Sequence, residues 1–241
     1  MEFTYSAYEN LIKLLKNQGY VFTDYANEGN SSCEVILRHD VDYDLKKAVE
    51  FGEFEKSIGV SSTYFILLSG NFYNLFSASS EEMVNTIVNC GHKIGLHFDE
   101  TCYSINGSQG FVEYVQKELS IMESIFPFSI DAVSMHRPSK MTLESDYAFG
   151  KAVNSYSKHF FKDYKYVSDS RMYWREDILT AVKEKSYEKL HILTHPVWYA
   201  ETEETTKEKL VKFISSANNQ RYQNMDNNFR DLSEFVLPEE I

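Results

Sequence analysis

Several residue types and patterns are scarce in this sequence, and each shortage argues against a class of protein. Cysteine occurs three times in 241 residues, an odd number without metal-type spacing, so we expect reduced thiols and neither a disulfide framework nor a zinc–thiolate site. Lys and Arg number 24 against 36 Asp and Glu, and the net charge of −12 argues against nucleic acid as a direct partner. No apolar run of about 18 residues occurs, so we do not expect a membrane-embedded protein.

Further absences concern location, cofactor and domain number. The opening residues MEFTYSAYEN lack the basic and apolar regions of a signal peptide, which predicts a cytoplasmic protein. No G-x-G-x-x-G or P-loop pattern occurs, so we expect no nucleotide cofactor. No Pro/Gly/Ser-rich linker, repeat or step in composition divides the chain, and we therefore predict one domain over residues 1–241.

Strand and helix patterns alternate along the chain. The predicted strands cover residues 33–40, 62–68, 92–98, 131–136, 164–170 and 189–195, and the predicted helices cover 8–20, 44–59, 79–91, 109–126, 176–185 and 201–220. The third helix is expected to open with a capping box over residues 79–82. Strands that alternate with helices predict an α/β fold with a parallel sheet, either open or closed into a barrel.

Polar clusters stand at the carboxyl end of five predicted strands. These clusters read RHDVD, GLHFDE, MHRPS, SDS and LTHP. They contain His39, Asp40, Asp42, His97, Asp99, His136, Arg137, Asp169 and His195. Because α/β folds place their sites at the carboxyl ends of their strands, we expect these side chains to form one site.

The chemistry of these side chains predicts a metal-assisted hydrolase. Carboxylates and imidazoles together are ligands for a divalent metal, with Zn²⁺ expected first and Fe²⁺, Co²⁺, Mn²⁺ and Ni²⁺ also compatible. A carboxylate and an imidazole that do not bind the metal then supply a base for water and an acid for the leaving amine.

Four motifs, HDVD, GHKIGLH, HRP and LTHP, follow in this order on successive predicted strands. They resemble the motifs of the NodB-type polysaccharide deacetylases, and the resemblance covers roughly residues 33–199. It implies a distorted (β/α) barrel and the metal-dependent removal of an acetyl or formyl group from a sugar. The chain is more closely similar to polysaccharide-deacetylase-like proteins of surface-glycan biosynthesis, which implies a small-molecule or lipid-linked sugar as the substrate.

The resemblance also implies roles for individual residues. Asp40 matches the general base and Asp42 a metal ligand. His97 matches the first histidine of the H-x-x-x-H metal motif. Arg137 matches the arginine that orients the base, and His195 the histidine that acts as general acid.

One position departs from the resemblance, because Thr101 stands where the second metal histidine is expected. Asp99 shares a strand face with His97 by the period of two, and His136 lies at another strand end. Either residue can supply the third ligand on this reasoning.

Other residues near the strand ends are expected to support the site. Asp169 is predicted to hold His195 in one tautomer, with a turn cap as the alternative. The aromatic residues Trp174, Trp198 and Tyr199 are predicted to stack on a sugar ring, although ordinary packing is the commoner role of large aromatics.

Three alternatives remain open from the sequence. The substrate can be an amide or imide that is not a sugar. The departure at Thr101 can instead mark a metal-free barrel that only binds a glycan or a partner. Asp40 and Asp42 can also form a buried ion network with Arg38 and Arg137.

Overall fold

Parallel strands and helices alternate through a computed structural model that describes all residues from 1 to 241. The strands are β1 (Val21–Thr23), β2 (Glu34–Val41), β3 (Thr63–Leu67), β4 (Lys93–Asp99), β5 (Ala132–His136), β6 (Val153–Asn154), β7 (Lys165–Ser168) and β8 (Lys189–Thr194). The helices are α1 (Tyr5–Asn17), α2 (Leu45–Ser57), α3 (Ala78–Asn89), α4 (Gly107–Ile125), α5 (Lys140–Glu144), α6 (Lys158–Lys162), α7 (Ile178–Lys183) and α8 (Thr206–Asp226). Short 3-10 turns follow β4 and β8.

The strands form one sheet in the order β6-β5-β4-β3-β2-β8-β7, and β1 pairs with the first residues of β2. Every pairing is parallel. Because all strands run in the same direction, their carboxyl ends lie at the same edge of the sheet. Parallel strands that follow each other along the chain are joined by a crossover connection.

The sheet is strongly curled. Arg38 of β2 donates a hydrogen bond to Ser155, which directly follows β6. These strands are four positions apart in the sheet, a distance of about 19 Å if the sheet were flat, which is beyond the reach of one side chain. The contact therefore requires the sheet to bend around its inner face, and the predicted distorted (β/α) barrel is confirmed.

Aromatic and aliphatic side chains fill the interior of this barrel. The inner cluster contains Tyr25, Ile36, Phe65, Ala132, Phe160 and Tyr164. The Phe65 ring lies so close to Gly95 of β4 that a Cβ at Gly95 would be 2.4 Å from it. Glycine at this position is therefore required for the ring to pack across the strand.

Alternation along the strands separates the inner face from the outer face. On β2, Leu37 and Val41 join the larger hydrophobic core beneath the helices, whereas Arg38 and Asp40 point to the inside. Asp42 follows β2 directly and shares the parity of Arg38 and Asp40. This alternation puts both aspartates at the carboxyl-end opening of the barrel.

The N-terminal helix shows why the outer core forms. Its buried residues Tyr8, Leu11, Ile12 and Leu15 recur at helical spacing, so they line one face of α1. Thr4 caps the helix by accepting a hydrogen bond from the backbone N–H of Ala7 at 3.1 Å. Gly19, with a φ of +80°, lets the chain turn back toward the sheet after the helix.

Most predicted elements are confirmed, with small changes at their ends. The predicted capping box over residues 79–82 is wrong, because α3 begins at Ala78 and its cap is Ser77. The Ser77 hydroxyl accepts the N–H of Ser80, so residues 79–82 already lie inside the helix. The short strands β1 and β6 were not predicted, because two or three residues are too few to show an alternation of apolar and polar side chains.

The chain separates into two compact units, Met1–Glu201 and Thr202–Ile241. The second unit contains α8, which starts with a capping box between Thr205 and Glu208. Within it, the Tyr222 hydroxyl donates to the Val236 carbonyl at 3.0 Å. No linker composition marks this division, and the single domain over residues 1–241 stays a prediction. None of the helices combines the length and the apolar content that a membrane span needs.

Candidate active site

Three potential metal ligands from three strand ends meet at the opening of the barrel. Asp42 Oδ1 lies 3.2 Å from His97 Nε2 and 3.1 Å from His136 Nδ1. The two histidine nitrogens are 3.2 Å apart. Asp42 follows β2, while His97 lies on β4 and His136 ends the neighbouring strand β5. We refer to Asp42, His97 and His136 as the ligand triad.

The ligand triad has the dimensions of a divalent metal site. With metal–ligand distances of about 2.1 Å, two ligand atoms lie about 3.0 Å apart in octahedral and about 3.4 Å apart in tetrahedral coordination. The three separations of 3.1 to 3.2 Å fall within that interval. Two imidazoles and one carboxylate also suit Zn²⁺, Fe²⁺, Co²⁺, Mn²⁺ or Ni²⁺, so the residues fit such a cation.

Ser134 orients His97 within the ligand triad. Its hydroxyl lies 3.1 Å from His97 Nδ1, and the two residues are paired across β4 and β5. When Nδ1 donates to Ser134, Nε2 presents its lone pair to a cation. Metal-binding histidines commonly have such a partner on the second nitrogen.

Asp42 is held in its ionised form. Burial raises the pKa of its carboxyl, but hydrogen bonds from His136 and His97 lower it further, and the net pKa is well below the ordinary value. The charge of His97 and that of His195 act in the same direction. A carboxylate that is ionised at neutral pH is ready to bind a cation.

Asp40 lies beside the ligand triad and is paired with Arg38. The guanidinium donates from Nε to Oδ1 at 2.9 Å and from an amino nitrogen to Oδ2 at 2.7 Å. Burial raises the pKa of Asp40, but the charge of Arg38 and then that of His97 lower it, so the net pKa is below the ordinary value. Asp40 Oδ2 also lies 3.7 Å from His97 Nε2.

This pairing corrects the role predicted for Arg137. The Arg137 side chain is 62% exposed and donates to Asp99 and Thr101, and it makes no contact with Asp40. Its backbone has a φ of 50°, which is uncommon for a residue other than glycine and turns the chain away at the end of β5. Arg38 occupies the position beside Asp40 that Arg137 was expected to occupy.

Asp99 is not part of the ligand triad, which corrects its prediction as an alternative ligand. Its Oδ1 accepts the N–H of Thr101 at 3.0 Å and the Thr101 hydroxyl at 2.7 Å. The reason is local, because the chain enters a 3-10 turn after Asp99 and the carboxylate caps that turn. Arg137 binds the other oxygen. His136 is therefore the residue that completes the triad.

His195 and Asp169 form the second ionisable pair of the site. His195 Nδ1 lies 2.6 Å from Asp169 Oδ1, and the His195 backbone N–H donates to Oδ2 at 3.1 Å. Burial lowers the pKa of His195, but the charge and hydrogen bond of Asp169 outweigh it and raise the pKa to about 9. The free nitrogen Nε2 lies 3.9 Å from Asp42 Oδ2, so the imidazole faces the ligand triad.

The three aromatic residues predicted to stack on a sugar are largely buried. Tyr199 has no exposed surface, and its ring packs against Tyr8 and Phe51 at centroid distances of 5.5 and 5.0 Å. Trp174 and Trp198 are only 9% and 7% exposed. A fully buried ring offers no face to a sugar, so the prediction is wrong for Tyr199, and the two tryptophans expose little surface.

The sequence interpretation missed two residues of this site. Arg38 was considered only as part of a structural ion network, although its spacing of two from Asp40 puts both on one strand face. The same spacing relates Ser134 to His136, which was the available signal for Ser134. A serine within a strand carries no chemical pattern of its own, so only the register to His97 identifies its role.

No protein-family model and no curated protein matches the chain. Solved structures resemble its fold. The CE4 family pseudoenzyme BA3943 from Bacillus anthracis shares 16% identity over 79% of this chain and 62% of its own, less than two thirds of its length, with a TM-score of 0.44. A family 4 acetyl xylan esterase from Clostridium thermocellum, in complex with a cobalt ion, shares 14% identity over 77% of this chain and 84% of its own, with a TM-score of 0.42.

A chitin deacetylase from the fungal pathogen Colletotrichum lindemuthianum is also similar in structure. It shares 14% identity over 76% of this chain and 81% of its own, with a TM-score of 0.40. The likeness to these three structures is one of fold.

Proposed function

We propose that the protein is a metal-dependent hydrolase that removes an N-acyl group, acetyl or formyl, from a sugar during glycan assembly. The observation that carries this proposal is the ligand triad Asp42, His97 and His136, whose atoms lie within 4.8 Å of one another. An ionisable pair stands on each side of it, Arg38 with Asp40 and His195 with Asp169.

The ligand triad would hold a divalent cation, which when bound polarises a carbonyl group and acidifies a water molecule. Asp40 would accept a proton from the attacking water, and Arg38 fixes the direction of its carboxylate. His195 would donate a proton from Nε2 to the nitrogen that leaves as the amine. Water and amide thereby become a carboxylic acid and a free amine.

The ionisation of the two groups matches these opposite roles. The pKa of Asp40 lies below its ordinary value, so the base is deprotonated at neutral pH. The pKa of His195 is raised to about 9, so the acid is protonated at the same pH. Two titratable groups whose surroundings push their pKa values apart are the usual arrangement of an acid and a base in one site.

The sugar in this proposal rests on the resemblance of the four motifs. The geometry by itself supports hydrolysis of an amide, and the aromatic residues expected to recognise a sugar are buried. A substrate panel therefore needs N-acetyl and N-formyl amino sugars together with a cyclic imide.

The test combines metal analysis with this panel. The purified protein should bind about one equivalent of a divalent cation and release acid from at least one N-acyl sugar. His136→Ala should lose both properties. His159→Ala is the matched control, because His159 is partly exposed and bonds to Asp163, and neither residue contacts the ligand triad or its two ionisable pairs. A His136→Ala variant with full metal content and activity would remove the basis of the proposal. If the protein hydrolyses only the cyclic imide, then the proposed substrate changes from a sugar to an imide.

A further inference from the structure

A buried polar network lies on the outer face of the sheet, where the proposed reaction does not use it. Its centre is Glu55 of α2, which has no exposed surface. The Glu55 carboxylate accepts hydrogen bonds from Tyr8 Oη at 2.6 Å, His39 Nε2 at 3.0 Å, Ser62 Oγ at 2.6 Å and Tyr64 Oη at 2.9 Å. A carboxylate with this number of donors is fully satisfied.

The network keeps a charge inside the core. Burial raises the pKa of Glu55, but the charge and hydrogen bond of His39, the charge of His92 and the hydrogen bond from Ser62 lower it to about 2. Replacing a buried ionic group by apolar residues of similar volume is often neutral or stabilising. A contribution to stability therefore does not explain why the core contains a charged Glu55. Its geometry offers a better explanation.

The network connects α2 to the two strands that carry the acid and the base. His39 Nδ1 lies 2.6 Å from the Thr194 hydroxyl. His39 and Thr194 are directly paired between β2 and β8, and theirs is the last pair in the register of these strands. The β2–β8 ladder ends with this pair, and from Asp40 onward β2 pairs only with β3.

Each member of that last pair stands one residue before a site residue. His39 precedes Asp40, and Thr194 precedes His195. Because successive side chains of a strand point to opposite faces, the His39–Thr194 bond lies behind the pair Asp40 and His195. The inner site and the outer network thus share the same two strand ends.

We infer that Glu55, His39 and Thr194 form a positioning clamp that fixes the distance between the base Asp40 and the acid His195. Glu55 holds the His39 ring by its Nε2–H, and the ring then binds the Thr194 hydroxyl through Nδ1. The clamp joins β2 and β8 by side-chain hydrogen bonds at the last position where their backbones are paired. The inference rests on the proposed function for the roles of Asp40 and His195.

The test compares Thr194→Val with Thr194→Ser in the full chain. Valine replaces the hydroxyl by a methyl group of similar size and leaves His39 Nδ1 without its partner, whereas serine keeps the hydroxyl. One readout is the NMR resonance of the His195 Nδ1 proton shared with Asp169, recorded in the metal-free protein. The other is kcat and KM on the best N-acyl sugar at full metal content.

The clamp predicts that Thr194→Val shifts or broadens the His195 resonance and lowers kcat by about tenfold or more, with KM unchanged, since displacements near 1 Å can cost about 100-fold. Thr194→Ser should retain both wild-type values. An unchanged resonance in Thr194→Val, or equal changes in the two variants, would overturn the clamp and leave Thr194 a packing residue.

A second variant keeps the clamp testable if Thr194→Val does not fold. Glu55→Gln keeps the size of the side chain and an acceptor for His39 but removes the charge, so it should move the same resonance in the same direction by a smaller amount. No movement of the resonance in Glu55→Gln would also count against the clamp. A wild-type protein without activity on the panel would overturn the proposed function, whereas the resonance would still decide the clamp.

Discussion

Arg38 and Asp40 lie two residues apart on one strand and form a bidentate ion pair inside the barrel, with N–O distances of 2.9 and 2.7 Å. The guanidinium also donates to Ser155 and Ser134, which belong to the far side of the curled sheet. The direction of the Asp40 carboxylate is therefore set by the barrel interior.

Removing this arginine should strongly destabilise the protein. Arg38→Met leaves the Asp40 charge buried without its partner, and such a loss typically costs about 3 to 5 kcal/mol. Arg137→Met is the control, because an exposed ion pair contributes about 1 kcal/mol or less. Urea unfolding at pH 7 measures both free energies. Equal losses in the two variants would show that the buried pair has no special role.

The same pair has a defined pH dependence. The pKa of Asp40 is lowered in the folded protein, so its contribution to stability is present above the unfolded pKa and is lost as the pH falls through the folded value. The difference in unfolding free energy between wild type and Arg38→Met should therefore shrink in acid.

The fold, and the gathering of polar side chains at one edge of the sheet, could be predicted because they depend on local patterns. Alternation of apolar runs with helical spacing identified the main strands, and parallel strands bring their carboxyl ends to one edge. The charged clusters at these ends then had to be neighbours. That reasoning groups Asp42, His97 and His195 with the other strand-end side chains, and the resemblance of the motifs singles them out.

The wrong predictions concern side-chain directions and contacts, which depend on local backbone turns or on residues distant in the sequence. Asp99 and His136 were equal candidates for the third ligand, and the choice depends on the 3-10 turn that begins after Asp99. The direction of Arg137 depends on a left-handed backbone at the end of β5. The burial of Tyr199 depends on Tyr8 and Phe51, which lie far away in the sequence.

The ligand triad predicts different effects for two aspartates that are both near His97. Asp42→Asn removes a ligand and should weaken metal binding more than about 100-fold, because even an outer-shell partner is worth 10- to 100-fold. Asp99→Asn should change the affinity far less, since its carboxylate binds Thr101 and Arg137. Competition with a chromophoric chelator measures both affinities. A larger loss for Asp99→Asn would exchange the roles of the two residues.

The pair His195 and Asp169 predicts a loss of stability in alkaline solution. The pKa of His195 rises from an ordinary value of 6.5 to about 9, so its contribution is fully present below pH 6.5 and is lost as the pH rises toward 9. At about 1.4 kcal/mol per pKa unit, the contribution is about 3 kcal/mol.

Asp169→Asn removes the charge that raises this pKa. Between pH 6 and pH 9.5, the metal-free wild type should lose about 3 kcal/mol more unfolding free energy than Asp169→Asn. Urea unfolding at the two pH values gives the comparison. Parallel pH profiles for the two proteins would mean that Asp169 does not stabilise a charged imidazole.

The role of His195 can be separated from metal binding by the choice of leaving group. An amide nitrogen must be protonated before it leaves, whereas the phenolate of an activated aryl ester leaves without a proton. His195→Ala should therefore lose about 100-fold or more in kcat on an N-acyl sugar, the usual range for a missing general acid. On an activated aryl acetate the same variant should lose far less.

The comparison needs the metal content of each variant, because His195 Nε2 lies 3.9 Å from Asp42. His195→Ala should keep its cation and its KM, since the ligand triad does not include the imidazole. His97→Ala, which lacks a ligand, should instead lose the cation and fail equally on both substrates. If His195→Ala also fails equally on amide and ester, then the imidazole acts in binding the cation or in structure, and the proton for the leaving nitrogen must come from another group at the same opening.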